Sequence, residues 1–138
     1  MSCDLTLHIE LKVNGKWEHY NHKRCFQDYT FFGFVGGVRV EGLQVFENKG
    51  LPDDLSVITE INRKKYEGDY HNASWLTLDE LLQIIEAFRK HEPNEKQVDA
   101  VEKSFGYLFG NSMWYFNKYK NDFSSEIEDV RVVTWFDN

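Results

Sequence analysis

With 138 residues, 41 % apolar and 28 % charged, the chain has the size of one globular domain, 1–138, whose core needs no disulfide or metal staple. A formal net charge of −7 and the lack of a long Lys/Arg block exclude polynucleotide binding as the main role, because that binding depends on neutralised phosphates. No apolar run reaches membrane-span length, nothing reads as a signal peptide, and Cys3 and Cys25 form no Cys-x-x-Cys pair, so a soluble intracellular protein with reduced thiols and no membrane partner is expected.

The first element is a strand. Leu5, Leu7, Ile9, Leu11 and Val13 alternate with Thr6, His8, Glu10 and Lys12, the period of a sheet with one buried face. Asn14-Gly15 suits a two-residue hairpin turn, since both positions tolerate positive φ. Regular pairing about that turn sets Lys12 opposite Trp17, Glu10 opposite His19 and His8 opposite Asn21. One face then collects Asp4, His8, Glu10, Trp17 and His19.

The run QDYTFFGFVGGVRV predicts a short helix with Asp28 as N-cap and Gly36-Gly37 as its end. In ENKGLPDDLSVITEIN, Pro52 suits a first helical turn and Asp53 and Asp54 favour its positive end, so a second helix is expected there. DYHNASW is taken as a loop. Thr77 and Glu80 then form a capping box, and Leu81, Leu82, Ile85 and Phe88 recur at helical spacing up to Pro93. A fourth helix carries Val98, Val101, Phe105 and Leu108 on one stripe, with Gly110 closing it. MWYFNKY is compatible with either state. EDVRVVTWFDN alternates again and predicts a last strand, 129 to 136, beside the hairpin. The order β-β-α-α-α-α-β describes an α+β domain: a small antiparallel sheet against several helices.

Three stretches could carry chemistry. On the hairpin face, Glu10 and His19 could form an acid/base or ligand-orienting pair, or simply a solvated cross-strand contact. His71, Asn72 and Ser74 precede a helix N-terminus, where anions are favoured but where polar residues also merely cap. Arg131 shares parity with Val133, Trp135 and Asp137, and Arg39 sits in GGVRVEG. Arginine beside rings suits phosphate and base recognition, and equally an ordinary ion pair. Phosphate-loop, dinucleotide and kinase patterns, the Gly-x-Ser-x-Gly elbow and His-Glu-x-x-His are all absent. Aromatic residues make up 16 % of the chain, enough that some rings should reach the surface to meet a ligand.

The blocks MSCDLTLHIE, NGKWEHYNH, GGVR, KGLPDD, SWLTLDEL, LFGN and VRVVTWFDN, in this order over nearly the whole chain, resemble a widespread family of small phage proteins of unassigned function. The resemblance implies the cytoplasm of an infected bacterial host and brings no settled activity. Family openings read closer to Asp-Ile-His-x-His-Ile-Glu, and the middle block closer to His-Ser-His-Ser-Trp. Here Thr6 and Ala73 stand where two of those histidines would be, which weakens a metal-dependent centre. The expectation is therefore an anti-defence protein that sequesters a small anionic nucleotide signal without cleaving it, in a pocket that could lie between copies in a homo-oligomer. Its ligand-binding residues would be His8, Glu10, Trp17, His19, His71, Arg131 and Trp135, with no catalytic residue, cofactor or bound metal. The alternatives are a phosphodiesterase or other hydrolase of such a signal, using His8, His19 and His71 as acid/base groups, and a protein inhibitor of a host defence enzyme.

Overall fold

The computed structural model describes residues 2–114 and 126–138. Strands β1 (Asp4–Val13) and β2 (Lys16–Arg24) form the hairpin, followed by helices α1 (Tyr29–Gly36) and α2 (Val57–Lys65). Strand β3 (Tyr70–Thr77) leads directly into α3 (Leu78–His91), then come α4 (Glu95–Trp114) and β4 (Asp129–Asp137). The four strands form one antiparallel sheet in the order β2-β1-β4-β3, so the first and last strands meet at its centre. The fold is α+β, as the alternation at both ends of the chain implies.

The apolar face of β1 enters the core as expected. Leu5, Leu7 and Ile9 are fully buried, and their partners on β4, Phe136, Thr134 and Val132, continue the same face. They join Phe31 and Phe32 of α1, Leu81, Ile84 and Phe88 of α3, and Val101, Phe105 and Leu108 of α4 in one cluster. α3 packs against β3 and β4, and α4 against β2. The caps follow the sequence signals. Asp28 Oδ1 accepts from the Phe31 N–H, Gly37 adopts the left-handed conformation at φ 69, and Thr77 and Glu80 complete their reciprocal box.

Four expectations need correction. The stretch from Tyr70 to Thr77, taken as a loop, is an edge strand on β4. Its alternation is broken by a register shift between His71 and Ser74, where Asn72 takes a φ of 51. That irregularity erased the period-2 signal. The second helix begins only at Val57, and Pro52, Asp53 and Asp54 lie in the turn before it. Gly110 does not close α4, which runs on to Trp114. Of the aromatic segment 113–119, the first two residues end α4 and 115–119 lie outside the described residues.

The fourth correction concerns the hairpin register. Lys12 faces Trp17 and Glu10 faces His19, as regular pairing requires. Beyond that point a bulge intervenes: Ile9 pairs with Asn21 and His8 with His22, leaving Tyr20 as the extra residue. Asn21 therefore turns to the core side, where its Nδ2 donates to the Leu108 carbonyl, and His22 takes the place expected for Asn21.

The polar face of the sheet is not left to solvent. α2 lies across it, opposite the other three helices, and buries His8 and Glu10 completely. Close packing on the core side gives a direct test. A Cβ added at Gly36 would stand 2.6 Å from Phe136 Cε2, a ring that is itself fully buried. Gly36→Ala should therefore lower the unfolding free energy by about 1–3 kcal/mol in urea melts, the usual cost of overpacking.

Candidate functional site

The centre of the covered face is a buried ion pair. Glu10 and Arg131 stand directly opposite each other on β1 and β4. Glu10 Oε1 accepts from Arg131 Nε at 2.8 Å and lies 2.7 Å from Nη2. Its other oxygen, Oε2, accepts from the Ser56 N–H and the Thr59 hydroxyl, both at 2.8 Å. The carboxylate thus caps the first turn of α2 from across the sheet, at the positive end of the helix. Arg131 also donates from Nη1 to Asp54 Oδ1 at 2.9 Å and from Nη2 to the Asp54 carbonyl at 3.1 Å. Its Cζ lies 4.1 Å from the centre of the Trp17 ring.

Next to this pair sit three imidazoles. His8 Nδ1 lies 3.2 Å from His19 Nε2, and His8 Nε2 lies 2.6 Å from the Asn62 amide on α2. His22 stacks on His8 with ring centres 4.8 Å apart, and Trp135 packs on His8 at 5.0 Å. One potential ligand nitrogen from each of His8, His19 and His22 falls within 4.8 Å of the others. Burial pushes the His8 pKa down to about 3, with His22 and His19 adding to the shift, so its ring is neutral. Burial also lowers His19, and His22 lowers it further, against an opposing pull from Glu10.

Of the residues expected at a ligand site, His8, Glu10, Trp17, His19, Arg131 and Trp135 do share one face. His71 does not join them. It pairs with Phe136 on β4, stacks on that ring at 6.2 Å, and makes hydrogen bonds with Asn72 and Asn138. The two histidine blocks at the start and middle of the chain consequently do not converge; His8 finds its companions on β2 instead. Arg131 and Trp135 are in addition nearly or fully buried, so neither lies open as expected. Trp135 Nε1 and Thr6 Oγ1, on facing residues of β4 and β1, have no hydrogen-bond partner among the described residues. Arg39 lies elsewhere, its Cζ 5.0 Å from the Tyr29 ring.

His22 and Asn62 are site residues that sequence reasoning does not find. Regular alternation assigns His22 to the other face, and only the bulge at Tyr20 returns it. The clue in the sequence is that His19 and His22 are three apart, which on a strand is compatible with a shared face only if one residue is looped out. Asn62 was missed because nothing in α2 announces which sheet face it will cover. Cys3 and Cys25 take no part: both are buried and free, and burial pushes the Cys25 thiol up to about 12.

An open cleft of about 480 Å³ adjoins the ion pair, lined by Trp17, Pro52, Asp53, Asp54, Trp75, Thr77, Asp129, Val130 and Arg131. Trp75 of β3 lines this cleft, with Lys49 Nζ 3.9 Å from its ring centre. Lys12 Nζ stands 5.9 Å from the Trp17 ring. Three aspartates against one already paired arginine leave the cleft floor negative. Among the described residues no helix is long and apolar enough to cross a membrane. No protein-family model, curated protein or solved structure matches the chain.

Three outcomes follow for stability. Arg131→Ala leaves Glu10 charged and buried without its cation and should cost about 3–5 kcal/mol in urea unfolding. Asp54→Ala removes a carboxylate that is 68 % exposed and should cost at most about 1 kcal/mol. For His8, the unfolded ring has the ordinary pKa near 6.5 while the folded ring stays neutral down to about 3. The unfolded chain therefore takes up the proton first as the pH falls. The stability His8 contributes is complete above about pH 6.5 and is lost as the pH drops toward 3. Unfolding free energies at pH 7, 6 and 5 should fall more steeply for the wild type than for His8→Gln.

Proposed function

We propose that the chain binds the base and sugar of a small nucleotide signal in the cleft between Trp17 and Trp75 and holds it intact. In the infected bacterial cytoplasm implied by its resemblance to small phage proteins, this would withdraw the signal from host defence. The observation that carries the reading is the pairing of two tryptophans with three aspartates around one cleft. Tryptophan faces stack on bases, a contact worth about 1–3 kcal/mol each in single-stranded nucleic-acid sites. Carboxylates accept hydrogen bonds from ribose hydroxyls and exocyclic amino groups.

This differs from a site built on Arg131 as the phosphate ligand. The guanidinium is already held by Glu10 and Asp54, and the aspartates repel phosphate from the cleft floor. Phosphates would have to point outward. Lys12, over the Trp17 ring, is the cation placed to meet them, while Lys49, over the Trp75 ring, is already paired with Glu80.

Calorimetry with a panel of nucleosides, cyclic nucleotides and ADP-ribose-type nucleotides tests the proposal. A member of the panel should bind, and denaturation followed by mass spectrometry should release it unchanged. Trp17→Ala and Trp75→Ala should each weaken binding about tenfold or more. Recovery of an altered nucleotide would favour the second reading, hydrolysis, for which the three clustered histidines are the supporting observation. If no member binds, the ligand reading fails and an inhibitor acting on a host protein takes its place.

A further inference from the structure

The three histidines allow an inference that does not depend on the cleft or its ligand. We propose that His8, His19 and His22 form a site for one divalent transition-metal ion of the zinc class, with the remaining coordination position open to solvent. Two nitrogens bound to one tetrahedral zinc at about 2.0–2.1 Å stand about 3.3–3.4 Å apart. His8 Nδ1 and His19 Nε2 are already 3.2 Å apart. Without metal that distance is bridged by a shared ring proton, and an ion would replace the proton between the same two atoms. His22 is the exposed member, on edge strand β2, and turns out of its stack on His8 to close the third bond.

The surroundings support this use of the cluster. Metal-bound imidazole must be neutral, and the buried His8 ring resists protonation. Asn62 sits 2.6 Å from His8 Nε2, the nitrogen pointing away from the other histidines. The atom placed there is Nδ2, which donates to Nε2 in the metal-free state; a half-turn of the amide, which leaves its shape unchanged, brings the oxygen round to accept from Nε2–H and frees the Nδ1 lone pair for the ion. Such outer partners commonly orient metal-binding histidines. In the metal-free state the neutral His8 ring therefore donates from Nδ1–H to His19 Nε2, and when the ion binds that proton moves to His8 Nε2, so no net proton is lost. Glu10 is no ligand, because both of its oxygens are taken by Arg131, Ser56 and Thr59. Three imidazoles without thiolate suit zinc, cobalt, nickel or copper rather than magnesium or calcium.

The full chain, stripped with chelator, is titrated with Zn²⁺ by calorimetry and with Co²⁺ by visible absorption. One Zn²⁺ per chain is expected, and Co²⁺ should give the intense bands of a site with few ligands. His22→Ala and His19→Ala should abolish both signals, while Asn62→Ala should weaken binding about 10–100-fold. His8→Gln, checked for folding by circular dichroism, should also abolish binding. His22→Ala alters an exposed side chain and keeps the test decisive if His8→Gln does not fold. Absence of Zn²⁺ uptake at equal metal and protein concentrations overturns the site. So does a folded His8→Gln protein that binds like the wild type, which would leave only the half-buried His19 and the exposed His22. Neither result touches the nucleotide titrations, so the two proposals fail separately.

Discussion

The buried pair of Glu10 and Arg131 is the constraint on which the covered face of the sheet depends. It joins the two central strands, whose apolar sides already belong to one core, and uses the remaining carboxylate oxygen to seat the start of α2. Burying two charges is costly, and their attraction compensates only when nearly every polar atom has a partner. Here Glu10 accepts from three residues, and Arg131 adds Asp54 and the Trp17 ring. Because α2 is held in this way, it brings Asn62 to His8 and Tyr66 to Trp135. An amphipathic strand pair thus becomes the middle layer of a domain with helices on both sides.

The two faces of the sheet differed in how well the sequence revealed them. The core face was legible because burying apolar groups is non-directional, and the alternation in β1 and β4 records it residue by residue. The caps at Asp28 and Thr77 were legible because they are local, each settled within four residues. The polar face was not. Whether Glu10 meets water or a helix depends on a segment some forty-five residues away, and neither stretch carries a mark of the other. β3 was hidden for a different reason: polar side chains and a left-handed Asn72 at its irregular point resemble loop chemistry, while its pairing comes from β4.

The candidate site residues follow the same division. His8, Glu10, His19 and Arg131 were singled out by parity, which survives folding, and they do meet. Their availability is not legible in the sequence, since parity identifies a face without saying what covers it. Arg131 is held by carboxylates and Trp135 is enclosed by Tyr66, Tyr70 and His8. His71 shares only their chemistry, and the sheet places it on the opposite side. Chemistry suggests what residues could do together; register decides whether they meet.

The looped-out Tyr20 has a consequence for how such sites are recognised from sequence. On an uninterrupted strand, two side chains reach the same ligand when separated by one residue, so the expected signature is His-x-His. In β2 the extra residue converts that signature to His-x-x-His, a spacing ordinarily associated with a helix turn. A pattern search restricted to alternate positions would pass over this strand. One that includes the wider spacing but assumes a helix would assign the pair to the wrong kind of scaffold. Looking for a neighbouring strand that contributes a further histidine, as β1 contributes His8, distinguishes the two cases.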